Sequence, residues 1–367
     1  MVNLTAAFSR GREYFLMFPW ADGGNLRDFW ERFTHPDDLH MADAIHQTIL
    51  QLRGLAAALD ALHYPSSDTE GEGIFRHGDL KPENILRFND TTLLGTLKIS
   101  DMGSARRYKV RTRTRRRSST TTFGTLQYEA PEIITNRQQA RSRLNDIWSF
   151  GCIALEHVIW LLYGHEGQLN FYDKLDEGNL MRSSFFQVKK SGAQFSTTIH
   201  PVVKTWIDFI LLKDPECAAH SAIKDLVILI QDKLLVELRQ ATSEVITAGT
   251  APEDPDHGTG LSISLSELNS HASKDIRFRA TSTVLCSLLD RIIEKVNPGD
   301  RNESYLFTGR SRRNIKGPPS IDPSTVQLDS MLEPFPSHLL SAIKVSFGTR
   351  SPGNSPCELT HLIMFKS

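Results

Sequence analysis

The sequence predicts an α+β protein in which a short β-hairpin precedes a mainly helical region and a polar C-terminal tail. Apolar and aromatic runs flank a glycine-containing turn within residues 2–18, which favours strands. Apolar side chains then recur every three or four positions in several long segments, which favours helices. Residues 297–367 are rich in Pro, Ser, Gly and Arg, a composition typical of disorder.

The hairpin is the first predicted element. Its turn falls at residues 9–12, and Pro19 ends the second strand because proline has no N–H for a further ladder bond. A turn at residues 22–25 leads into a short helix predicted over residues 26–33. A long amphipathic helix follows over residues 38–63. Its predicted apolar face consists of Met41, Ile45, Ile49, Leu52, Leu55, Ala56, Leu59 and Leu62.

One strand and four more helices are predicted after this helix. Residues 93–99 have the composition of a strand, whereas residues 146–163 are apolar almost all round, which indicates a buried helix. The other three helices are expected over residues 201–212, 223–238 and 283–296, where apolar residues return to helical spacing.

Composition and charge exclude some classes of protein. The 367 residues carry a formal net charge of −1, so overall charge indicates neither a nucleic-acid nor a membrane partner. The four cysteines lie far apart, without the spacing of a disulfide framework or a metal site. We find no membrane-length apolar stretch and no signal-peptide pattern. The sequence therefore predicts an intracellular protein, cytoplasmic or nuclear, and leaves the oligomeric state open.

A strongly basic segment precedes a run of hydroxyl residues. Eight Arg and Lys residues between positions 106 and 117 stand directly before the Ser and Thr residues at 118–122. Three interpretations are open. The hydroxyls are phosphorylation sites that pair with nearby Arg, the basic block is a localisation or nucleic-acid patch, or the segment is a solvated loop extended by like charges.

The strongest chemical signal lies at residues 76–86, which read RHGDLKPENIL. Asp79, Lys81 and Asn84 place a carboxylate, an ammonium and an amide in one short loop, and Asp101 follows the next predicted strand. Phosphoryl transfer uses a carboxylate to receive a hydroxyl proton, a cation to balance phosphate charge, and carboxylate and amide oxygens to bind Mg²⁺. We therefore predict a phosphoryl-transfer loop here.

These motifs resemble those of the eukaryotic protein kinase family, of the serine/threonine type. The matching positions are, in order, His77, Asp79, Lys81 and Asn84, then Asp101, Met102 and Gly103. The run GTLQYEAPE at residues 124–132 resembles the end of an activation segment, and DIWSFG at residues 146–151 resembles the start of the helix that anchors the catalytic loop. The resemblance implies a protein-kinase-like fold, ATP and Mg²⁺ as cofactors, and a protein substrate with a Ser or Thr acceptor.

The resemblance also implies catalytic and metal-binding roles. Asp79 is expected to be the catalytic base, Lys81 to steady the γ-phosphate, and Thr125 to hydrogen-bond near the substrate hydroxyl. Asn84 and Asp101 are expected to be the Mg²⁺ ligands. The Lys two residues after the catalytic Asp is similar to serine/threonine kinases, whereas tyrosine kinases place an Arg elsewhere in this loop.

The residues that lead into the first helix are expected to bind ATP. In the family, this part of the chain is the last strand of the N-lobe and the hinge. Phe18 is expected to border the adenine pocket, and the backbone of Pro19, Trp20 and Ala21 to meet the adenine edge. Since Pro19 has no N–H, a hydrogen-bond donor must come from a neighbour.

A further group is expected to hold the site together. The family pairs the Glu at the end of the activation segment with a distant Arg. Here Glu132 is expected to pair with Arg279, with Arg277 as the second choice. The other residues with an expected structural role are His77, Gly103 and Asp146.

The resemblance implies one kinase-like domain over residues 1–296. Within it, residues 1–18 match a remnant of the N-lobe, residues 19–25 the hinge, and residues 26–296 the C-lobe. Residues 240–275, rich in Ser, Thr, Gly and Asp, are interpreted as an insertion in the C-lobe. The segment after residue 296 is expected to be a mostly disordered tail.

Two departures from the family pattern bear on activity. Gly78 replaces the Arg that normally reads a phosphate on the activation segment, so switching by that route is not expected. The sequence before Lys81 has neither a GxGxxG motif nor any Lys. The family uses both to hold the phosphates of ATP. Two functions are therefore weighed, a serine/threonine kinase with a partial N-lobe and a non-catalytic C-lobe remnant that binds or scaffolds partners. For this chain alone we predict no phosphate transfer to a generic basic substrate.

Overall fold

The structure, a computed structural model, contains a small sheet near the start of the chain and a larger helical body. The helical body surrounds the long helix that begins at Leu144. The residues that the structure describes are 1–11, 13–33, 40–65, 74–101, 106–108, 126–135, 142–176, 184–191, 194–238, 278–296, 303–307, 317–318 and 360–366.

The hairpin expected at the start of the chain is present, but its first strand begins later than predicted and continues through Arg10, into residues expected to form the turn. Strand β1, Ala6–Arg10, pairs antiparallel with strand β2, Glu13–Pro19. The register places Phe8 opposite Phe15, and their rings stack with centroids 5.1 Å apart. Gly11 lies in the turn with a φ of 64°, a left-handed conformation that glycine adopts at little cost.

Helices α1 and α2 match the first two predicted helices. Helix α1, Leu26–Arg32, begins at Asn25, whose side chain accepts a hydrogen bond from the backbone N–H of Asp28. Helix α2, Met41–His63, begins later than the predicted residue 38, which lies outside the described residues. Burying each larger aliphatic side chain of α2 contributes about 1.5–3 kcal/mol. The predicted apolar face is buried at Met41, Ile45, Ile49, Leu52, Leu55, Ala56, Leu59 and Leu62.

Two short antiparallel strand pairs frame the loop with the phosphoryl-transfer motif. Strand β3, Ile74–Arg76, pairs with β6, Arg106–Tyr108. Strand β4, Ile85–Phe88, pairs with β5, Thr96–Ile99. Strand β5 confirms the second half of the strand predicted over residues 93–99. Strand β6 was not predicted, because three basic and aromatic residues within a basic block show no strand period.

Helix α3, Glu132–Thr135, is followed by the long helix α4, Leu144–Asp176. The predicted buried helix is confirmed in α4, which continues past a break at Gly164, where φ is 69°. A window of α4 is long and apolar enough to cross a membrane, contrary to the sequence prediction, but 94% of that window is buried inside the protein. This helix lies at the centre of the core. Its own Trp148 and Trp160 are fully buried, as are Trp30 of α1 and Trp206.

A hairpin that the sequence analysis missed follows α4. Strand β7, Phe186–Ser191, pairs antiparallel with strand β8, Gln194–Ile199. The segment is polar and its alternation is incomplete, so it has no clear strand period. Phe185 and Phe186 are buried in the core and fix the start of the hairpin.

Three helices complete the body. Helix α5, Pro201–Lys213, confirms its prediction, and α7, Ser282–Glu294, confirms the last predicted helix. The helix predicted over residues 223–238 is shorter, because α6, Ala222–Leu229, changes to a π-helical turn at Ile230–Leu234. The insertion expected at residues 240–275 lies outside the described residues.

Residues 297–367, expected to form a mostly disordered tail, contain two described segments of regular structure, and most of this range lies outside the described residues. A short helix, α8, spans Glu303–Leu306, and Tyr305 and Leu306 are buried. Strand β9, Thr360–Lys366, pairs antiparallel with β2 on the edge that β1 leaves open. Composition averaged over the tail hides this short apolar run, and an unpaired strand edge favours such pairing.

Candidate active site

The carboxylate of Asp146 anchors the catalytic loop. It lies in the first turn of α4 and accepts hydrogen bonds from the backbone N–H groups of His77, at 2.8 Å, and Gly78, at 2.9 Å. Nε2 of His63 lies 2.8 Å from Asp146 Oδ2. Burial opposes ionisation, but these hydrogen bonds and the nearby imidazoles hold the pKa of Asp146 below its ordinary value. The loop is therefore tied to the core helix through a buried carboxylate.

The ring of His77 links the loop to the segment after β5. Its Nε2 donates to the carbonyl of Ser100 at 2.8 Å, and its Nδ1 accepts the N–H of Asp79 at 3.3 Å. The side chain is fully buried. His77 thus joins the two segments that carry Asp79 and Asp101, as a structural residue would.

The side chains of Asp79, Lys81 and Asn84 meet in the loop. Lys81 Nζ lies 3.0 Å from Asp79 Oδ2. The Asn84 amide donates to the Asp79 carbonyl at 2.7 Å and to its carboxylate at 3.2 Å. A 3₁₀ turn at Pro82–Asn84 brings the amide back toward the aspartate. The structure thus brings together three of the site residues predicted from the sequence.

Asp101 stands beside this group. Ser100 donates to the Asn84 carbonyl through its backbone N–H at 2.9 Å and through its hydroxyl at 3.0 Å, which places the next residue close to Asn84. Asp101 is exposed and has a φ of 57°. Positive φ at a residue other than glycine is uncommon, and such strain often occurs at functional sites.

The donor set fits a hard divalent cation. The amide nitrogen of Asn84 is committed to Asp79, so its carbonyl oxygen is the atom that can bind a cation. Asp101 adds a carboxylate. Within the described residues no group of three or more His, Cys, Asp or Glu could hold a metal. A site with two protein ligands suits Mg²⁺, which keeps waters and shares substrate phosphates.

The residues expected to bind adenine lie at the end of β2 and in the turn that follows. Phe18 and Pro19 belong to β2, and Ala21 is buried while Trp20 is 41% exposed. The turn runs alongside β4, because the N–H of Gly23 donates to the Arg87 carbonyl at 3.0 Å. This pairing fixes the start of α1 next to the catalytic loop. Thr125 and Gly103, also predicted site residues, lie outside the described residues.

The structure also brings Arg279 to Glu132. The guanidinium donates to both carboxylate oxygens, at 2.7 and 3.1 Å, across 147 positions in sequence. It also donates to the carbonyls of Val236 and Leu144, and it lies over the Trp148 ring at 5.0 Å. Arg277, the second choice, lies outside the described residues. The pair ties α3 to the segment before α7.

A buried network beside the loop was missed by the sequence analysis. Arg27 of α1 donates to Glu83 in the loop, at 3.2 Å, and to the hydroxyls of Tyr128 and Tyr172. The Tyr128 hydroxyl donates in turn to the Glu156 carboxylate, at 2.9 and 3.0 Å. The signal that could have found it is Glu156 itself, since a carboxylate in a helix that is apolar all round requires a partner.

Burial sets the charge of this network. Glu156 is completely buried, and burial raises its pKa to about 7. The loss of hydration outweighs the attraction of the Arg27 guanidinium, whose nitrogen is 3.8 Å away. Burial also opposes the charge of Arg27, but the nearby carboxylate and tyrosine groups raise its pKa. Glu156 therefore gains and loses a proton near neutral pH.

The model of one protein family, described as the protein kinase domain, matches residues 1–225 of the chain. The chain belongs to the protein kinase family. The fold is kinase-like, and both the buried helix α4 and the anchored catalytic loop lie within the matched range. The family uses ATP and a divalent metal on protein substrates.

Several curated kinases are similar to this kinase chain. Mitogen-activated protein kinase kinase kinase 4 of Mus musculus is 32% identical over 127 residues, covering 34% of this chain and 7% of that protein. Serine/threonine-protein kinase 36 of Pongo abelii is 27% identical over 220 residues, covering 59% of this chain and 14% of that protein. Mitogen-activated protein kinase kinase kinase 6 of Homo sapiens is 43% identical over 81 residues, covering 22% of this chain and 6% of that protein. The kinase chain thus spans a small part of these relatives.

Proposed function

We propose that this chain is a serine/threonine protein kinase domain that transfers the γ-phosphate of ATP to Ser and Thr hydroxyls of a protein. One observation carries the proposal. The side chains of Asp79, Lys81 and Asn84 meet in a loop that Asp146 holds on the core helix. Such positioning is most of what an enzyme supplies in phosphoryl transfer.

The chain's own groups have distinct roles in this proposal. Bound Mg·ATP supplies the phosphoryl group and neutralises its charge. Asp79 receives the proton of the acceptor hydroxyl, and Lys81, 3.0 Å from it, balances charge at the same place. Asn84 and Asp101 would hold the metal. Thr125 would lie near the acceptor, and Phe18 with the backbone after it would border adenine.

The preference for Ser and Thr rests on two observations. Lys81 follows Asp79 by two residues, as in serine/threonine kinases. A relative that covers 59% of the chain is named as a serine/threonine-protein kinase. We also propose that the domain runs to residue 296, past the matched range, because Arg279 and α7 pack on its core. An intracellular location, cytoplasmic or nuclear, is part of the proposal.

A second candidate function is a non-catalytic module that binds or scaffolds partners. The observation that favours it is the absence of any Lys or GxGxxG motif in residues 1–80. The family uses that Lys on the α- and β-phosphates and the glycine-rich loop over them. Residues 1–80 therefore supply neither of these phosphate contacts.

The test separates the two functions by binding and by transfer. Mn²⁺, a paramagnetic substitute for Mg²⁺, is titrated into the chain together with a non-hydrolysable ATP analogue. We expect Asp101→Asn to weaken cation binding by about tenfold or more, since it removes a charged ligand. Transfer from Mg·ATP to Ser/Thr peptides is then compared with Asp79→Asn. For this chain alone we expect no transfer above that variant to a generic basic peptide. Transfer above it to any Ser/Thr peptide supports the kinase, whereas cation binding without transfer to any of them supports the module.

A further inference from the structure

One guanidinium joins four parts of the molecule around the catalytic loop. Arg27 of α1 contacts Glu83 in the Pro82–Asn84 turn, Tyr128 in the turn at Leu126–Tyr128, and Glu156 in α4. Its side chain is 18% exposed, and it stacks on the Tyr172 ring at 5.2 Å. Glu83 is the one member of the group in the phosphoryl-transfer loop, and the contacts named here involve none of Asp79, Lys81 and Asn84.

We propose that Arg27 is a positioning residue for the metal-binding amide of Asn84. The inference rests on the proposed function, because it assigns Arg27 to the same site. Glu83 immediately precedes Asn84 in a turn of three residues, and Arg27 Nε holds its carboxylate at 3.2 Å. Holding Glu83 restricts the turn, and the turn sets the direction of the Asn84 side chain.

The partners of Arg27 are themselves fixed. Glu156 is fully buried, and the single hydroxyl proton of Tyr128 is shared between its two carboxylate oxygens, so the far end of the network is held in the core. Arg27 therefore ties the more exposed partner, Glu83, whose side chain is 43% exposed, to a buried one. A planar guanidinium with several donors suits this role better than a lysine ammonium.

Charge argues against a purely space-filling role. A buried carboxylate needs a cation or a proton, and Arg27 Nη2 lies 3.8 Å from Glu156 Oε2. The same cation reaches Glu83 with a different nitrogen, which couples the loop to Glu156 electrostatically as well as sterically. An apolar residue of the same length would keep the packing on Tyr172 and lose both couplings.

The experiment measures the dissociation constant of Mn²⁺ with a non-hydrolysable ATP analogue, in the full chain and in variants. Arg27→Met and Glu83→Gln are each expected to weaken Mn²⁺ binding by about three- to tenfold. This is less than the roughly 10–100-fold loss seen when a direct partner of a metal ligand is removed, because Arg27 acts on Asn84 through Glu83. The double variant should be no weaker than Arg27→Met, because both act through one contact. Arg27→Lys should restore part of the affinity.

Arg53→Met is the matched control. It breaks another partly exposed arginine–carboxylate pair. Arg53 of α2 donates to both oxygens of Asp290 in α7, at 2.7 and 3.0 Å, and neither residue belongs to the catalytic loop or the Arg27 network. Its Mn²⁺ affinity should equal that of the wild type. Equal losses in Arg27→Met and Arg53→Met, or additive losses in the double variant, overturn the proposal.

Amide exchange gives a readout that needs no metal. The backbone N–H of Asn84 donates to the Lys81 carbonyl at 3.0 Å, and its exchange should quicken in Arg27→Met while exchange in α7 stays unchanged. A wild-type chain that binds no Mn²⁺ refutes the proposed function, and exchange at Asn84 then still decides the positioning role. If Arg27→Met does not fold, Glu83→Gln carries the same comparison.

Discussion

At the residue scale, Gly78 determines how the loop presents Asp79. Its φ is 81°, and its N–H donates to Asp146. A residue with a Cβ is strained in this left-handed region, so Gly78→Ala should cost about 1–3 kcal/mol of stability. Urea denaturation of the variant and the wild type measures the difference.

Gly54 supplies the control for this prediction. It is exposed in α2, and a Cβ placed there meets nothing within 4 Å. Gly54→Ala should therefore stabilise the protein by about 0.5–1 kcal/mol, because alanine favours the helix. Equal effects of the two substitutions would show that the conformation of Gly78 carries no strain.

Glu156 predicts a pH dependence of stability. Burial raises its pKa to about 7 in the folded protein, from an ordinary value of 4.5. Between these values the folded state binds more protons than the unfolded state, so this residue's contribution to stability falls as pH rises. From pH 5 to pH 8 the free energy of unfolding of the wild type should fall by on the order of 1–3 kcal/mol relative to that of Glu156→Gln, because glutamine does not titrate. Denaturation curves of both proteins across this range check the sign; a parallel pH dependence would contradict it.

The site residues differ in how far sequence could predict them. Asp79, Lys81 and Asn84 lie within one loop, so their spacing alone indicates their chemistry. The contact of Arg27 with Glu156 depends on the packing of α1 against α4, which no local pattern encodes. The sequence offers one indication of such a partner, because burying a carboxylate in an apolar helix costs free energy unless the group is paired.

At the element scale, the Arg279–Glu132 pair joins α3 to the segment that leads into α7. The Arg279 side chain is fully buried, and the Glu132 side chain is 18% exposed. Removing one partner of a buried pair leaves the other charge uncompensated, so Arg279→Met should cost about 3–5 kcal/mol. Calorimetry or urea denaturation measures this loss.

Two further variants test whether that loss comes from the uncompensated charge of Glu132 and from burial of the pair. Adding Glu132→Gln to Arg279→Met should destabilise less than the sum of the single changes, since the orphaned carboxylate is gone. Arg53→Met breaks a more exposed pair and should cost about 1 kcal/mol or less. Similar losses in Arg53→Met and Arg279→Met would mean that burial of the pair does not matter.

Helices and strands could be predicted from the sequence where the periodic pattern of apolar residues extends over many positions. Helix α2 shows more than five turns of apolar spacing, and both its presence and its buried face followed from the sequence. Strands β7 and β8 have six residues each, too few for a clear pattern in a polar segment. Their pairing is fixed by Phe186 in the core, a tertiary effect that the local sequence does not show.

At the scale of the whole molecule, one core supports the site. Helix α4 carries Asp146 at its start and Glu156 further along, so the catalytic loop and the Arg27 network share one rigid support. Helix α7, beyond the matched range, packs on α2 and supplies Ser282, whose hydroxyl lies 3.1 Å from His63. Residues of the site are thus held by contacts that span most of the described chain.

The small sheet depends on a strand from the far end of the chain. Strand β9 pairs with all of β2, from Glu13 opposite Lys366 to Pro19 opposite Thr360. A two-stranded hairpin is marginally stable in water, so a chain that ends at residue 359 should lose amide protection in β2. Protection in α2 and α4 should not change, because α2 packs on α7 and α4 packs on α1 and α5. Hydrogen exchange read by mass spectrometry tests this. The double substitution Leu362→Pro and Ile363→Pro should give the same result at full chain length, because one of two consecutive N–H groups in an edge strand faces its partner. Unaltered exchange in β2 in both variants would show that β1 alone keeps the strand in place.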